Sequence, residues 1–415
     1  MRWGILDQVL SSGTNFGLTV LAAHLAHARG LGLVAVAFTT YILVLGLQRA
    51  LVTEPLIVDV AHRSKPDKDF ADSRALTMTL FLSVFATVTL VAIGLLVPGT
   101  VGHGIRLIAP WLVPCLLQDY WRSLLFRDQR GAAATCNDLC WTLVMVGLAF
   151  VAATAPSAGT ALAAWAGGGS AAAVLGCWQV RGRAARLGPS LRWWWLVARP
   201  LGQALGVAHL LLQVGSQVTT VLLASLLSAS GLGGIRGAES LFAPNTLVGQ
   251  ALAMPGLPRV SQRLRMSFAR ARADCLRISA CALALLLPYL LIVGAFRGQL
   301  LRTVFGPEFV IYQPLLLPIA AAQIILAAGT GPALLARADK RATALIGSRA
   351  LQVPAQILLV LLLTSRFGTV GAAWGLAIGS ALGSVTLTAA ALRGAGESLQ
   401  QPAVRPPARP VGGSV

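Results

Sequence analysis

The sequence predicts an all-α, polytopic membrane protein with about twelve transmembrane helices in two pseudo-symmetric six-helix bundles. Three observations carry that reading. Of the 415 residues, 56% are hydrophobic and 11% charged, where a soluble domain carries about a quarter charged residues. Apolar runs of about 20 residues, the length that crosses a bilayer core, recur along the whole chain. The basic residues collect in alternate gaps between those runs: Arg63–Arg74, Arg122–Arg130, Arg181–Arg199, Arg259–Arg277, Arg337–Arg349 and Arg393–Arg409. The intervening gaps hold only Arg29, Arg106, Arg236, Arg297, Arg302 and Arg366. Cytoplasmic loops retain Lys and Arg, so the alternation predicts a multi-pass protein of the cytoplasmic membrane with both termini in the cytoplasm. The net charge of +19 is then a topology signal, and no nucleic-acid partner is needed to account for it.

The predicted spans are 5–28, 31–60, 75–97, 106–126, 132–153, 161–180, 200–228, 231–257, 275–296, 313–336, 343–364 and 369–392. They divide the chain into an N-terminal six-helix bundle (1–180), a basic, Trp-rich cytoplasmic linker (181–199), a C-terminal six-helix bundle (200–392) and a disordered cytoplasmic tail (393–415). No gap is long enough for a soluble catalytic domain.

In the first span, Asp7, Ser11, Asn15 and Thr19 recur every fourth residue, with Gln8 beside them, and make one polar face on an apolar helix. Asp7, Gln8 and Asn15 also interrupt the apolar run that a cleaved signal peptide requires, so the segment is read as a span. The second span holds Arg49 inside its apolar run. A buried guanidinium keeps its charge and needs an anion. That anion is either Glu54, five residues on, or a substrate phosphate gripped in bidentate fashion. Gln118, Asp119 and Arg122 end the fourth span and Asn137 and Asp138 begin the fifth; as charges near span ends they are expected to reach the interface or one another. Trp193, Trp194 and Trp195 in the linker are expected to form an interfacial belt on an amphipathic segment.

The seventh span repeats the polar stripe with His209, Gln213 and Gln217, and the eighth carries Arg236, Glu239, Asn245 and Gln250. Arg236 and Glu239, three apart, can pair with each other. Lipid-facing polar stripes cost several kcal/mol, so both stripes are expected to face inward, lining a cavity or bonding helix to helix. Pro55, Pro244, Pro255, Pro288, Pro318, Pro332 and Pro354 should bend their spans. In the twelfth span Gly371, Gly375, Gly379 and Gly383 form a groove for close helix packing.

An offset of about 200 residues aligns the halves. Gly30-Leu31-Gly32-Leu33 falls on Gly231-Leu232-Gly233-Gly234, Gln8 on His209 and Arg49 on Gln250. Phe126-Arg127-Asp128-Gln129-Arg130 resembles Ala336-Arg337-Ala338-Asp339-Lys340-Arg341. Six spans per half make the repeats parallel, and transport sites lie at such repeat interfaces.

No residues assemble a nucleophile with a base and its orienting group, so the chain is not expected to be an enzyme. The six cysteines read as small hydrophobes. His24 and His27 lack a third ligand, so no metal site and no cofactor is expected. No Walker A loop surrounds Lys65, Lys68 or Lys340, which leaves gradients to drive any transport.

Residues 6–16, the stretch from Tyr41 to Pro55, Leu117–Arg122 with Phe126-Arg127, and Asn137–Trp141 resemble polysaccharide-export flippases of the multidrug/oligosaccharidyl-lipid/polysaccharide (MOP) superfamily, the O-antigen and teichoic-acid export type. The resemblance implies two six-helix bundles forming a V, with a cavity lined by helices 1, 2, 7 and 8, as in MATE-like transporters. It implies an undecaprenyl-diphosphate-linked oligosaccharide as substrate, whose diphosphate meets cavity arginines. Arg49 takes that role by position, and Arg236 is a second candidate. Positive charge is sparse here, with Asp7, Glu54 and Glu239 nearby as charge partners or coupling groups. The implied cavity residues are Arg49, Asn15, Gln8, His209, Gln213, Gln217, Gln250 and Arg236, and the implied partners are membrane lipids and glycosyltransferases or a polymerase of the same pathway. The alternatives are an H⁺- or Na⁺-coupled multidrug antiporter of the same fold, using Asp7 and Glu54, and a membrane scaffold for glycosyltransferases.

Overall fold

Among the described residues of the computed structural model, eight helices are long and apolar enough to cross a membrane, and no strand is present. The structure describes residues 2–60, 65–180, 194, 199–339 and 342–393. The first half comprises α1 (Arg2–Gln48), a π-helical turn (Arg49–Thr53), α2 (Glu54–Val60), α3 (Lys65–Leu96), α4 (Gly99–Ile108) and a 3-10 turn (Ala109–Trp111). It continues through α5 (Leu112–Arg127), α6 (Gly131–Ala152) and α7 (Ala158–Gln179). The second half has α8 (Arg199–Leu226), α9 (Ala229–Ser240), α10 (Ala243–Met266), α11 (Phe268–Ala295) and α12 (Arg297–Phe305). A 3-10 segment (Pro307–Leu315), α13 (Leu316–Ala338) and α14 (Ala342–Arg393) complete it. The expected linker structure and disordered tail fall on residues outside those described, except Trp194 and the helical Arg199 and Arg393.

Two of the long helices are hairpins. In α1 the backbone breaks at His27, which has φ +57°, and Gln8 and Asn15 share a cavity with Arg49 and Tyr41. The segments before and after His27 therefore run antiparallel. In α14 the break is at Gly368, φ +58°. Gly371 meets the Leu363 carbonyl, Gly375 packs on Val360, Gly379 on Gln356 and Gly383 on Gln352. The glycine groove thus receives the preceding segment of the same hairpin. Among the described residues the sharpest breaks are at these two reversals. Pro288, Pro332 and Pro354 sit inside continuous helices.

Pro55 acts differently. Proline offers no N–H to the preceding turn; the chain widens there into the π-helical turn, and the Leu51 carbonyl accepts the Trp194 indole N–H at 3.0 Å. Trp194 is therefore pinned to the second crossing, while Trp193 and Trp195 lie outside the described residues.

The halves meet through the two glycine motifs that sequence aligns. A Cβ at Gly32 would overlap the Ala229 carbonyl, and one at Gly233 would overlap the Ala28 carbonyl. With no hydrophobic driving force between helices in lipid, such backbone-to-backbone approach supplies packing that larger residues prevent. Nearby, Glu308 accepts the Ala28 N–H at 2.9 Å and lies 3.1 Å from His27 Nδ1. That carboxylate fastens the second half to the α1 reversal. Gly233→Val should lower stability in detergent by about 2 kcal/mol or more, the cost of overpacking. Gly13→Ala, which meets nothing within 4 Å, should leave it unaltered; equal thermal shifts for the two variants would contradict this packing.

Candidate functional site

The first half encloses a cavity of about 270 Å³ lined by both segments of α1 and by α5, α6 and α7. The four-residue spacing of α1 sends Ser11 and Asn15 to its wall, with Gln8 beside them. Thr14, also in the wall, shares a 2.8 Å hydrogen bond with Thr142 of α6. Thr19 bonds back to the Asn15 carbonyl at 3.2 Å. Tyr41, Trp141 and Trp165 form an aromatic side of the cavity, with Tyr41 and Trp165 edge-to-face at 5.2 Å. The Trp141 indole donates to the Trp165 carbonyl at 2.7 Å.

Five charges sit among these helices. Arg49 grips Asp119 in bidentate fashion, Nε to Oδ2 at 2.9 Å and Nη2 to Oδ1. Arg122 binds Asp7 through Nε, at 3.2 and 3.1 Å, and through Nη2. It also lies 3.4 Å from Asp138 and 3.8 Å from Asp119. Gln118 donates to Asn137 at 2.9 Å and to Asp138 at 3.0 Å, and Asn137 donates to the Ala172 carbonyl at 2.7 Å. Three helices are thereby tied through carboxylates that are nearly solvent-free. Two guanidiniums face three carboxylates, a formal charge of one in favour of acid.

This network corrects one expectation. The partner of Arg49 is Asp119, 70 residues away in sequence, and not Glu54, which is exposed. Of the two outcomes expected for the polar residues of the fourth and fifth crossings, the structure shows the second: Gln118, Asp119, Asn137 and Asp138 are buried and, with Arg122, bond to one another. The crossing runs from Gly99 to Arg127, which sets Asp119 two turns inside it. Charge complementarity between Arg49 and a second buried acid was the signal available in sequence.

The second polar stripe has another use. His209 packs against Gly46, whose missing side chain makes the room, and the Gln217 amide donates to the Thr39 carbonyl. α8 is thus bonded to the second segment of α1, helix to helix. Gln213, on the same face, is half-buried. Gln250 lies on α10, with its side chain outside the described residues. Arg236 donates to Glu239 at 2.9 Å and to Thr220 at 2.8 Å. Both line a cavity in the second half. His27 and Glu308, unassigned by sequence reasoning, meet at the contact between halves. Among the described residues no three His, Cys, Asp or Glu side chains group as a metal site, and all six cysteines are free.

The second segment of α1 follows α8 from Thr39 to Leu51. The first segment is joined to the second half by Phe16 against Phe305, centroids 6.4 Å apart, and by the contacts at its reversal.

Removing Arg49 would strand a 3% exposed carboxylate, whereas removing Asp119 would strand a guanidinium that is 40% exposed. Arg49→Ala should therefore cost about 3 kcal/mol of stability, and Asp119→Asn clearly less. The double variant should recover part of the loss. Strictly additive losses in a double-mutant thermal-stability cycle would contradict this pairing.

No family profile and no curated protein sequence matches the chain. Solved structures do. A lipid II flippase MurJ in an inward closed conformation aligns with TM-score 0.74 at 12% identity, over 93% of this chain and 87% of that one. An inward-facing multidrug-resistance MATE family transporter of the MOP superfamily aligns with TM-score 0.68 at 13% identity, over 91% and 93%. A MOP superfamily transporter from Pyrococcus furiosus, described as having reversed polarity in its binding pocket, aligns with TM-score 0.60 at 13% identity, over 94% and 92%. The chain has the fold of these MOP transporters, and the neighbours named are transporters or flippases.

Proposed function

We propose that the chain is a MOP-superfamily flippase that carries a lipid-linked oligosaccharide, of the undecaprenyl-diphosphate type, across the cytoplasmic membrane by alternating access. Both termini are cytoplasmic, and the cargo serves cell-surface polysaccharide synthesis beside glycosyltransferases or a polymerase. The observation that carries this reading is the polar-walled cavity of the first half, to which α1 presents Gln8, Ser11 and Asn15 beside Arg49. A sugar head group needs polar partners to leave water, because stripping its hydroxyls in hydrocarbon costs several kcal/mol each, and this wall offers them. The likeness to a lipid II flippase over most of both chains supports the same reading.

In this mechanism Gln8, Ser11 and Asn15 exchange hydrogen bonds with sugar hydroxyls. Arg49 lends its cavity-facing edge while Asp119 holds it in place. The Glu308–His27 contact and the glycine seam close the opposite face and must part for release. A second reading is favoured by one observation, the excess carboxylate in the buried network beside the first cavity, three acids against two guanidiniums. A cation-coupled multidrug antiporter would use Asp7, Asp119 and Asp138 there.

Reconstituted into liposomes, the protein should move a fluorescent lipid-linked oligosaccharide between leaflets. Asn15→Leu, which removes a wall amide without breaking an ion pair, should slow it at least tenfold, and Arg49→Ala should do the same or more. Unaltered rates in both variants would end the flippase reading. Proton- or sodium-driven efflux of a cationic dye, lost in Asp138→Asn, would establish the second.

A further inference from the structure

The second half encloses its own cavity, about 460 Å³, lined by α8, α9, α13 and both segments of α14. These are the first, second, fourth, fifth and sixth crossings of that half, and the first cavity uses the same five crossings of the first half. Pseudo-symmetry has therefore built two equivalent chambers. Their chemistry is not equivalent. Where the fourth and fifth crossings of the first half supply Asp119 and Asp138, those of the second supply Gln323, Gln352 and Gln356. The titratable groups of the second wall are Arg236, Glu239 and Arg349, two guanidiniums against one carboxylate. The wall of the first chamber, with Arg49 and Arg122 against Asp119 and Asp138, is formally neutral, while that of the second carries a formal charge of plus one.

Arg236 is already satisfied by Glu239 and Thr220. Arg349 is not. Among the described residues no carboxylate lies within 4.0 Å of it; its Nη1 donates at 2.7 Å to Gln352 Oε1. Gln352 Nε2 donates in turn to Gln356 Oε1 at 3.3 Å. Both amide oxygens of this chain of groups are engaged internally. What it presents outward is the remainder of the guanidinium and the Gln356 amide nitrogen, all donors. The positions 349, 352 and 356 share one face of the first α14 segment. Gly383 and Gly379 of the returning segment lie against the Gln352 and Gln356 side chains, where any Cβ would overlap them. The glycine stripe thus seats the two amides as well as closing the hairpin.

We propose that the second chamber is a phosphate-binding site, in which Arg349 and Gln356, oriented by Gln352, take the phosphate or diphosphate of the transported molecule. This rests on the transport reading above and refines it. The anion is held in the second half, while the first chamber, whose guanidiniums are matched by carboxylates, meets the uncharged part of the head group. A guanidinium with planar donors suits phosphate oxygens, and Arg49 is committed to Asp119.

The test is direct binding to the full-length protein in nanodiscs, with inorganic pyrophosphate and farnesyl diphosphate as probes. The wild type should bind at least one. Arg349→Gln should weaken that binding tenfold or more. Gln356→Glu, whose carboxylate can pair with Arg349 and keep the fold, should abolish it, whereas Arg366→Gln, an exposed arginine at the α14 reversal, should leave it unaltered. Tighter binding of the prenyl probe identifies a lipid diphosphate as the source, and equal binding identifies a free anion; either result supports the site. The proposal is overturned if neither probe binds, or if Arg349→Gln binds as the wild type does, the outcome required were Arg49 the anion holder. Neither probe carries sugar and neither assay needs translocation. A protein that flips the oligosaccharide but binds no diphosphate would refute the site alone, and one that binds diphosphate without flipping would refute the transport reading.

Discussion

Five charges among apolar helices set the terms for the first half. Ionised groups at membrane depth persist only where partners or water compensate their desolvation. Asp7, Asp119 and Asp138 find that compensation in Arg49 and Arg122. The arrangement ties the start of α1, its returning segment, α5 and α6 at one point, so the polar face of α1 has only one direction to take. Replacing such a network with well-packed apolar residues is often neutral for stability. Its retention here is therefore better explained by the polar wall it orients than by the energy it adds.

From that wall the rest follows in order. α1 must turn its polar side inward, which leaves Val9 and Leu6 exposed on the other side, facing lipid. The reversal at His27 then brings Ala28, Leu31 and Gly32 against α9, where glycine lets two backbones touch.

Much of this was legible in the sequence. The span count follows from apolar runs and alternating arginines, and the α1 stripe follows from its four-residue period. The pairing of the two glycine motifs was visible as a repeat, though not as a mutual contact. For the polar cluster of the fourth and fifth crossings, sequence left the interface and mutual pairing both open, and the structure shows mutual pairing. The partner of Arg49 was missed because a nearby acid, Glu54, competed in sequence while the real one came from another helix. The symmetric stripes diverged in use: the first lines a chamber, and the second bonds α8 to α1 through Gln217. Local periodicity says that a face is buried and is silent on whether water or protein covers it.

The central claim is that the polar side of α1 meets water at membrane depth. Cysteine accessibility tests it most directly, in a background with the six native cysteines replaced by alanine. A membrane-impermeant maleimide added from the face bearing the N-terminus should label Ser11→Cys and Asn15→Cys and leave Val9→Cys unmodified. Labelling of Val9→Cys with protection at Ser11 and Asn15 would turn the helix the other way and contradict the account.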